Sequence, residues 1–107
     1  MPTSLESAVE CYVRARGLKQ ATRDEYSSTL RKWNRWGHGR PIEELTRREV
    51  REFLDWVYEE AVGDAGTNPG RTANKSRENL RAVMSWAWEQ DMLEMLPRFP
   101  KPRMQRE

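Results

Sequence analysis

No stretch of this chain alternates apolar and polar residues with a period of two, and along most of its length apolar residues return every three or four positions. That spacing puts them on one side of an α-helix and excludes a sheet as the main support of the core, so the expected class is all-α. A first helix is expected from Ser4 to Arg16, with Leu5, Ala8, Val9, Tyr12 and Val13 inward and Gly17 as its stop. Thr3 and Glu6 have the spacing of a capping box, in which each side chain satisfies a backbone N–H at the helix start. The same spacing returns at Thr22 and Glu25, ahead of a second helix that carries Tyr26, Leu30 and Trp33 and ends near Trp36 and Gly37. It returns again at Thr46 and Glu49, before a third helix from Arg47 to Ala61 with Val50, Phe53, Leu54 and Val57 inward and Leu45 placed to staple against Val50. A fourth helix, capped by Thr72 and running from Ala73 to Met92, carries Leu80, Val83, Met84, Ala87 and Trp88 as its inner stripe.

The run from Gly63 to Gly70 is dense in turn formers and reads as a mobile loop. After the fourth helix, Pro97, Pro100 and Pro102 stand among Arg98, Lys101, Arg103 and Arg106, a pattern that cannot continue a helix and reads as an extended basic linker. The expected organisation is one domain over residues 1–96 and a linker over 97–107, in a fragment of a longer protein.

Counting removes several functions. The chain has 107 residues, 19 basic and 17 acidic with a net charge of +2, and its five Trp are inconsistent with a disordered composition. A single domain of this size has little room for a deep catalytic cavity. Cys11 alone excludes an intramolecular disulfide framework and is expected to be a partly buried, inert thiol. His38 lies in a glycine turn and is expected to be a solvated loop residue, which leaves no His pair for a metal; no cofactor is expected. No apolar run is long enough to span a membrane and the N-terminus lacks the layout of a signal peptide, so the expected location is cytoplasmic, with no membrane partner.

The arrangement of charge is more informative than its sum. Eight of the 17 acids fall between Glu43 and Asp64, with only Arg47, Arg48 and Arg51 against them, so the third helix is the acidic side. Bases gather instead around the second helix, at Lys19, Arg23, Arg31, Lys32 and Arg35, and around the start of the fourth, at Arg71, Lys75, Arg77 and Arg81. At about 100° per residue, Arg71, Asn74, Lys75, Glu78 and Arg81 fall on the outward half of the fourth helix, as do Ser27, Ser28, Arg31, Lys32 and Arg35 on the second. Cations near a helix start oppose the macrodipole, and with Thr72 as cap, Lys75 stands where the other three caps are followed by Glu. A helix start left unneutralised suits an anion. Lys and Arg neutralise phosphates, Ser and Thr fix register on phosphate oxygens, and Asn can pair with an adenine edge. The candidate DNA-binding set is therefore Lys19, Arg23, Ser27, Arg31, Arg71, Thr72, Asn74, Lys75, Arg77 and Arg81, with Asn74 as the base reader and duplex DNA as the partner.

Four segments in order carry a resemblance: Thr22-Arg23-Asp24-Glu25-Tyr26 with Leu30 and Trp33; Ile42-Glu43-Glu44-Leu45-Thr46 with Val50, Phe53 and Leu54; Thr72-Ala73-Asn74 with Leu80, Arg81, Trp86 and Ala87; and a short exit to a proline-containing linker. Together they resemble the N-terminal core-binding domain of phage integrases and other tyrosine recombinases. The resemblance implies an orthogonal, SAM-like bundle of four helices that forms half of a clamp on duplex DNA, working with a C-terminal catalytic domain of the same chain and with other recombinase protomers. It also implies that strand cleavage resides in that other domain. Tyr12, Tyr26 and Tyr58 read as core or rim aromatics, because a phenol of pKa about 10 needs an activating cluster to act as a nucleophile. Trp86 is expected to pack on a neighbouring helix and Trp36 to cover the core. The alternative from another class is a helical interaction module docking an acidic protein partner. A helix-turn-helix regulator fits less well, since its recognition helix would be the acidic third one.

Overall fold

The computed structural model describes residues 3–37, 40–64 and 66–99, and among them the chain forms four α-helices and no strand. The helices are α1 (Leu5–Arg16), α2 (Gln20–Gly37), α3 (Arg47–Val62) and α4 (Pro69–Glu89), with one 3-10 turn at Ile42–Glu44 between α2 and α3. His38 and the basic tail beyond Phe99 lie outside the described residues.

The helix ends show which local signals the chain uses. Thr46 and Glu49 form the expected capping box, and Leu45 and Val50 are both buried behind it. At α1 the cap is Ser4, whose hydroxyl accepts from the Ser7 N–H at 3.1 Å, and not Thr3. Thr3 is otherwise engaged: its carbonyl accepts from Ile42, and its N–H is held by both oxygens of Glu43 at 2.8 and 2.9 Å. This tether fastens the entry to α1 onto the 3-10 turn. α2 begins at Gln20, two residues before Thr22, so Thr22 and Glu25 lie inside the helix. Gly17, at φ 59, closes α1 as expected, in the left-handed region where a side chain would be strained.

The largest departure is at α4, which starts at Pro69 and ends at Glu89. Asn68 is its cap, accepting from the Arg71 N–H at 3.1 Å, and Pro69 takes the first helical position, where its missing N–H costs nothing. Thr72 is therefore inside the helix. The described residues of the expected mobile loop close into a turn, with Thr67 donating to the Asp64 carboxylate at 2.9 Å. At the far end Asp91, at φ 62, takes the left-handed position; its N–H reaches the Trp88 carbonyl and the Met92 N–H reaches that of Ala87. This is a Schellman ending with Asp in the glycine place, which is why no stop signal is visible in the sequence. Because the chain turns there, Leu93 fills the core; Trp88, assigned to the inner stripe from periodicity, lies at the edge of that stripe within α4 and is 47% exposed.

Trp33 and Phe53 are fully buried and meet edge to face at 5.3 Å, joining α2 to α3, and the half-buried Trp36 covers both. Trp86 packs edge-on against Tyr12 at 5.8 Å, and Tyr12 against Tyr26 at 5.4 Å, so α1, α2 and α4 share an aromatic column. Burial, and then the neighbouring Tyr12 phenol, push Tyr26 well above the ordinary tyrosine range. Cys11 is exposed and not partly buried, because it lies one residue off the buried stripe Leu5, Ala8, Val9 and Tyr12. Packing continues through Leu96 to Phe99, whose carbonyl accepts from Arg77.

These ends set two expected outcomes. Asp91→Gly relieves the left-handed side chain and is expected to raise stability by about 1 kcal/mol, read as a higher Tm in thermal circular dichroism. Burial is the largest single influence on Glu43 and raises its pKa, but hydrogen bonds from the Thr3 N–H, its own backbone N–H and the Thr3 side chain together outweigh it, so its net shift is downward. A carboxylate with a lowered pKa stabilises the fold above its ordinary titration range and loses that contribution as pH falls through the folded value. Glu43→Gln should thus reduce Tm at pH 7, with the gap to the unaltered chain closing below about pH 4.

Candidate functional site

α2 and α4 cross through small and polar side chains. Thr29 of α2 and Ala73, Ser76 and Asn79 of α4 are buried, and Asn79 Nδ2 donates to Thr29 Oγ1 at 2.9 Å while lying 3.5 Å from the Glu25 carbonyl. Short side chains let the two backbones approach, and the Asn79–Thr29 bond fixes how far one helix can slide along the other.

Outside this crossing the helices part to form an open cleft of about 230 Å³. Glu25, Ser28, Thr29 and Lys32 line it from α2, and Arg71, Thr72, Lys75 and Ser76 from α4. Each set is spaced by three or four residues, which is one stripe of a helix. Three cations and one carboxylate thus face the cleft, and no residue of the acid-rich α3 lines it. Lys75 Nζ is 3.1 Å from Glu25 Oε1, a half-exposed pair. Among the described residues neither Lys32 nor Arg71 has an ion-pair partner. Lys32 donates to Ser28 Oγ at 3.0 Å, and burial, together with Arg31 and Arg35 nearby, lowers its pKa below the ordinary lysine value. Burial first, and the two like charges second, disfavour the charged ammonium, and an anion bound beside it would favour that form. Arg71 adds a cation to the first turn of α4, which holds no acid.

The candidates chosen from sequence divide. Arg71, Thr72 and Lys75 line the cleft. With Asn68 as cap it is Arg71, and not Lys75, that occupies the place of a capping-box Glu. Asn74 and Arg81 do not line the cleft: they lie about 160–180° around α4 from Thr72 and about 60–80° from Arg71, on the outward side. Asn74 Nδ2 donates to Glu78 there at 3.3 Å, and Arg77 on the same flank is spent on the Phe99 carbonyl at 3.0 Å. The outward stripe expected on α4 is therefore continuous around the helix, with Arg71 and Lys75 at its cleft edge and Asn74 and Arg81 beyond it. On α2, Arg23 Nε donates to the Leu18 carbonyl at 3.1 Å and braces the α1–α2 turn. Ser27 lies on that side, about 160° from Thr29, and Lys19 precedes α2, its carbonyl accepting from Arg23. Arg31 stands one residue from Lys32 on the outward side of α2, about 160° from Thr29, and does not line the cleft.

Ser28 and Lys32 belong to the cleft but were absent from the candidate set. The signal that finds them is the polar Thr29 within an otherwise apolar inner stripe, matched by Ser76 and Asn79 on α4: polar residues facing each other inside a bundle mark the crossing, and their neighbours line its edge. Arg35, one of the bases gathered on the second helix, pairs with Glu60 at 3.0 Å and lies over Trp56 at 5.4 Å.

Among the described residues there is no group of three or more His, Cys, Asp or Glu able to hold a metal, and no helix long and apolar enough to cross a membrane. Asn79→Ala removes the buried donor and is expected to cost about 1 kcal/mol or more, lowering Tm by some 4–8 °C. Glu25→Gln, at a half-exposed pair, is expected to change Tm far less. The family model for the phage integrase N-terminal SAM-like domain matches residues 5–91, the whole span from the first residue of α1 to the turn that closes α4. Neither a curated protein nor a solved structure matches the chain.

Proposed function

Since the chain belongs to the family of phage integrase N-terminal SAM-like domains, we propose that it is a non-catalytic, duplex-DNA-binding module of a site-specific recombinase, and that the α2–α4 cleft is the surface it lays on DNA. In this reading the module acts in the cytoplasm beside a C-terminal catalytic domain of the same protein and other recombinase protomers, with residues 97–107 as the connection.

The observation that carries the proposal is the pair of unneutralised cations, Lys32 and Arg71, facing one cleft from two helices locked together by Asn79 and Thr29. A duplex presents phosphates as a regular anionic rail, and two cations held in fixed relation can engage it without first being ordered. Ser28 and Thr72 supply hydroxyls beside them for phosphate oxygens, contacts that position a protein on DNA without reading its sequence. Arg31, on the outward side of α2 next to Lys32, extends the positive surface along that helix. Lys19, Arg23 and Ser27, and on α4 the flank of Asn74, Arg77 and Arg81, are secondary contacts, reached where the duplex curves past the cleft or the partner domain closes on it.

The test is the salt dependence of duplex binding, measured by fluorescence anisotropy. Each phosphate neutralised contributes roughly −0.9 to the slope of log K against log salt. Lys32→Gln with Arg71→Gln should weaken binding of unrelated duplexes about equally and flatten the slope by nearly 2. An unchanged slope in the double variant would show that the phosphates lie elsewhere.

A further inference from the structure

One charge in the cleft works against a phosphate surface. Glu25 places a carboxylate among Lys32, Arg71 and Lys75, and it is bound to the α4 cation Lys75 at 3.1 Å, with the two side chains 43% and 55% exposed. Almost everything a duplex offers to a protein repels a carboxylate: phosphates are anionic, and most atoms on the base edges are hydrogen-bond acceptors. The exceptions are the exocyclic amino groups, of which cytosine N4 in the major groove is the characteristic partner of Glu and Asp. Lysine has the complementary preference, for the O6 and N7 acceptors of guanine.

The geometry joins these two preferences. In a G·C pair the guanine O6 and cytosine N4 are themselves hydrogen-bonded, about 2.9 Å apart, which matches the 3.1 Å between Lys75 Nζ and Glu25 Oε1. The two protein groups can therefore face the two base groups at once. The ammonium donates to O6, the carboxylate accepts from N4, and the Lys75–Glu25 pair stays intact. A T·A pair also places an acceptor beside a donor, but it lacks the second guanine acceptor for the ammonium and adds the thymine methyl group. We infer that the Lys75–Glu25 pair bridging α4 and α2 is the specificity element of the module, reading one G·C base pair from the major groove. This rests on the DNA-binding reading above and deepens it. Glu25 also belongs to the crossing itself, since Asn79 lies against its backbone carbonyl, and a change confined to its side chain leaves that contact in place.

The experiment selects binders from a duplex library with a randomised 12-base-pair core, using the unaltered chain, Glu25→Gln and Lys75→Gln. Thermal melts establish that all three are folded. The expected result is one position enriched in G·C with the unaltered chain and that preference lost in both variants, each of which still binds duplexes of unrelated sequence. On fixed duplexes, exchanging that pair for A·T should weaken the unaltered chain roughly tenfold and leave Glu25→Gln nearly indifferent. If the unaltered chain binds duplexes but enriches no position, or if Glu25→Gln binds every sequence more tightly by one common factor, Glu25 is only an opposing charge and the inference is overturned while the phosphate reading stands. If the unaltered chain binds no duplex at all, both fall.

Discussion

The hydrogen bond from Asn79 to Thr29 is the constraint on which the rest of the molecule's surface depends. Apolar packing would let two helices slide past one another at small cost, because one methyl group substitutes for another. A buried donor and acceptor do not allow this, since a slip of one turn leaves both unsatisfied in a low-dielectric interior. Fixing that crossing fixes which residues lie beside it. Ser28 and Lys32 flank Thr29, Thr72 and Lys75 flank Ser76, and the cleft is what remains between the two rows. The aromatic packing of Trp33, Phe53, Tyr12 and Tyr26 gives the bundle its stability; the polar crossing gives the cleft its register.

Charge pairing explains how a chain with a net charge of only +2 keeps such a surface. The acid-rich α3 is not inert ballast. Glu60 takes up Arg35, Glu52 lies within reach of Arg48, and Glu49 both completes the cap at Thr46 and pairs with Arg40. These pairs are away from the cleft, so neutralisation is concentrated on one part of the surface and the bases on another are left over. Arg23 and Arg77 are withdrawn differently, each spent on a backbone carbonyl that holds a connecting segment.

The all-α class, the count of helices and most of the core were legible from periodicity, because burial of one helical face leaves a repeat in the sequence that little else produces. The caps were legible only where a single reading was available. Thr46 with Glu49 had no competitor, whereas Thr3 was drawn away by Glu43 and Thr22 lay inside a helix that began earlier. Asn68 and Pro69 read as turn formers, although the same two residues are a cap and a first helical position; which role they take is settled by how the fourth helix packs in three dimensions. Asp91 gave no stop signal because glycine usually takes its place, and Trp88, at the edge of the inner stripe, has the spacing of a core residue without being one. For the cleft, residue type was legible and partnership was not. A helical wheel sorts side chains into inward and outward, but Asn74 and Lys75 are both outward, and only the position of α2 separates the flank that faces it from the flank that does not.

The most direct measurement of the central claim is mapping by amide chemical shift of where a duplex touches the folded chain. If α2 and α4 present one DNA surface, the largest shifts on adding a short duplex fall on residues 25–32 and 68–76, and the Asn79 side-chain amide moves with them. Shifts concentrated on α3, or on the flank of Asn74 and Arg81 with the cleft residues unmoved, would contradict it.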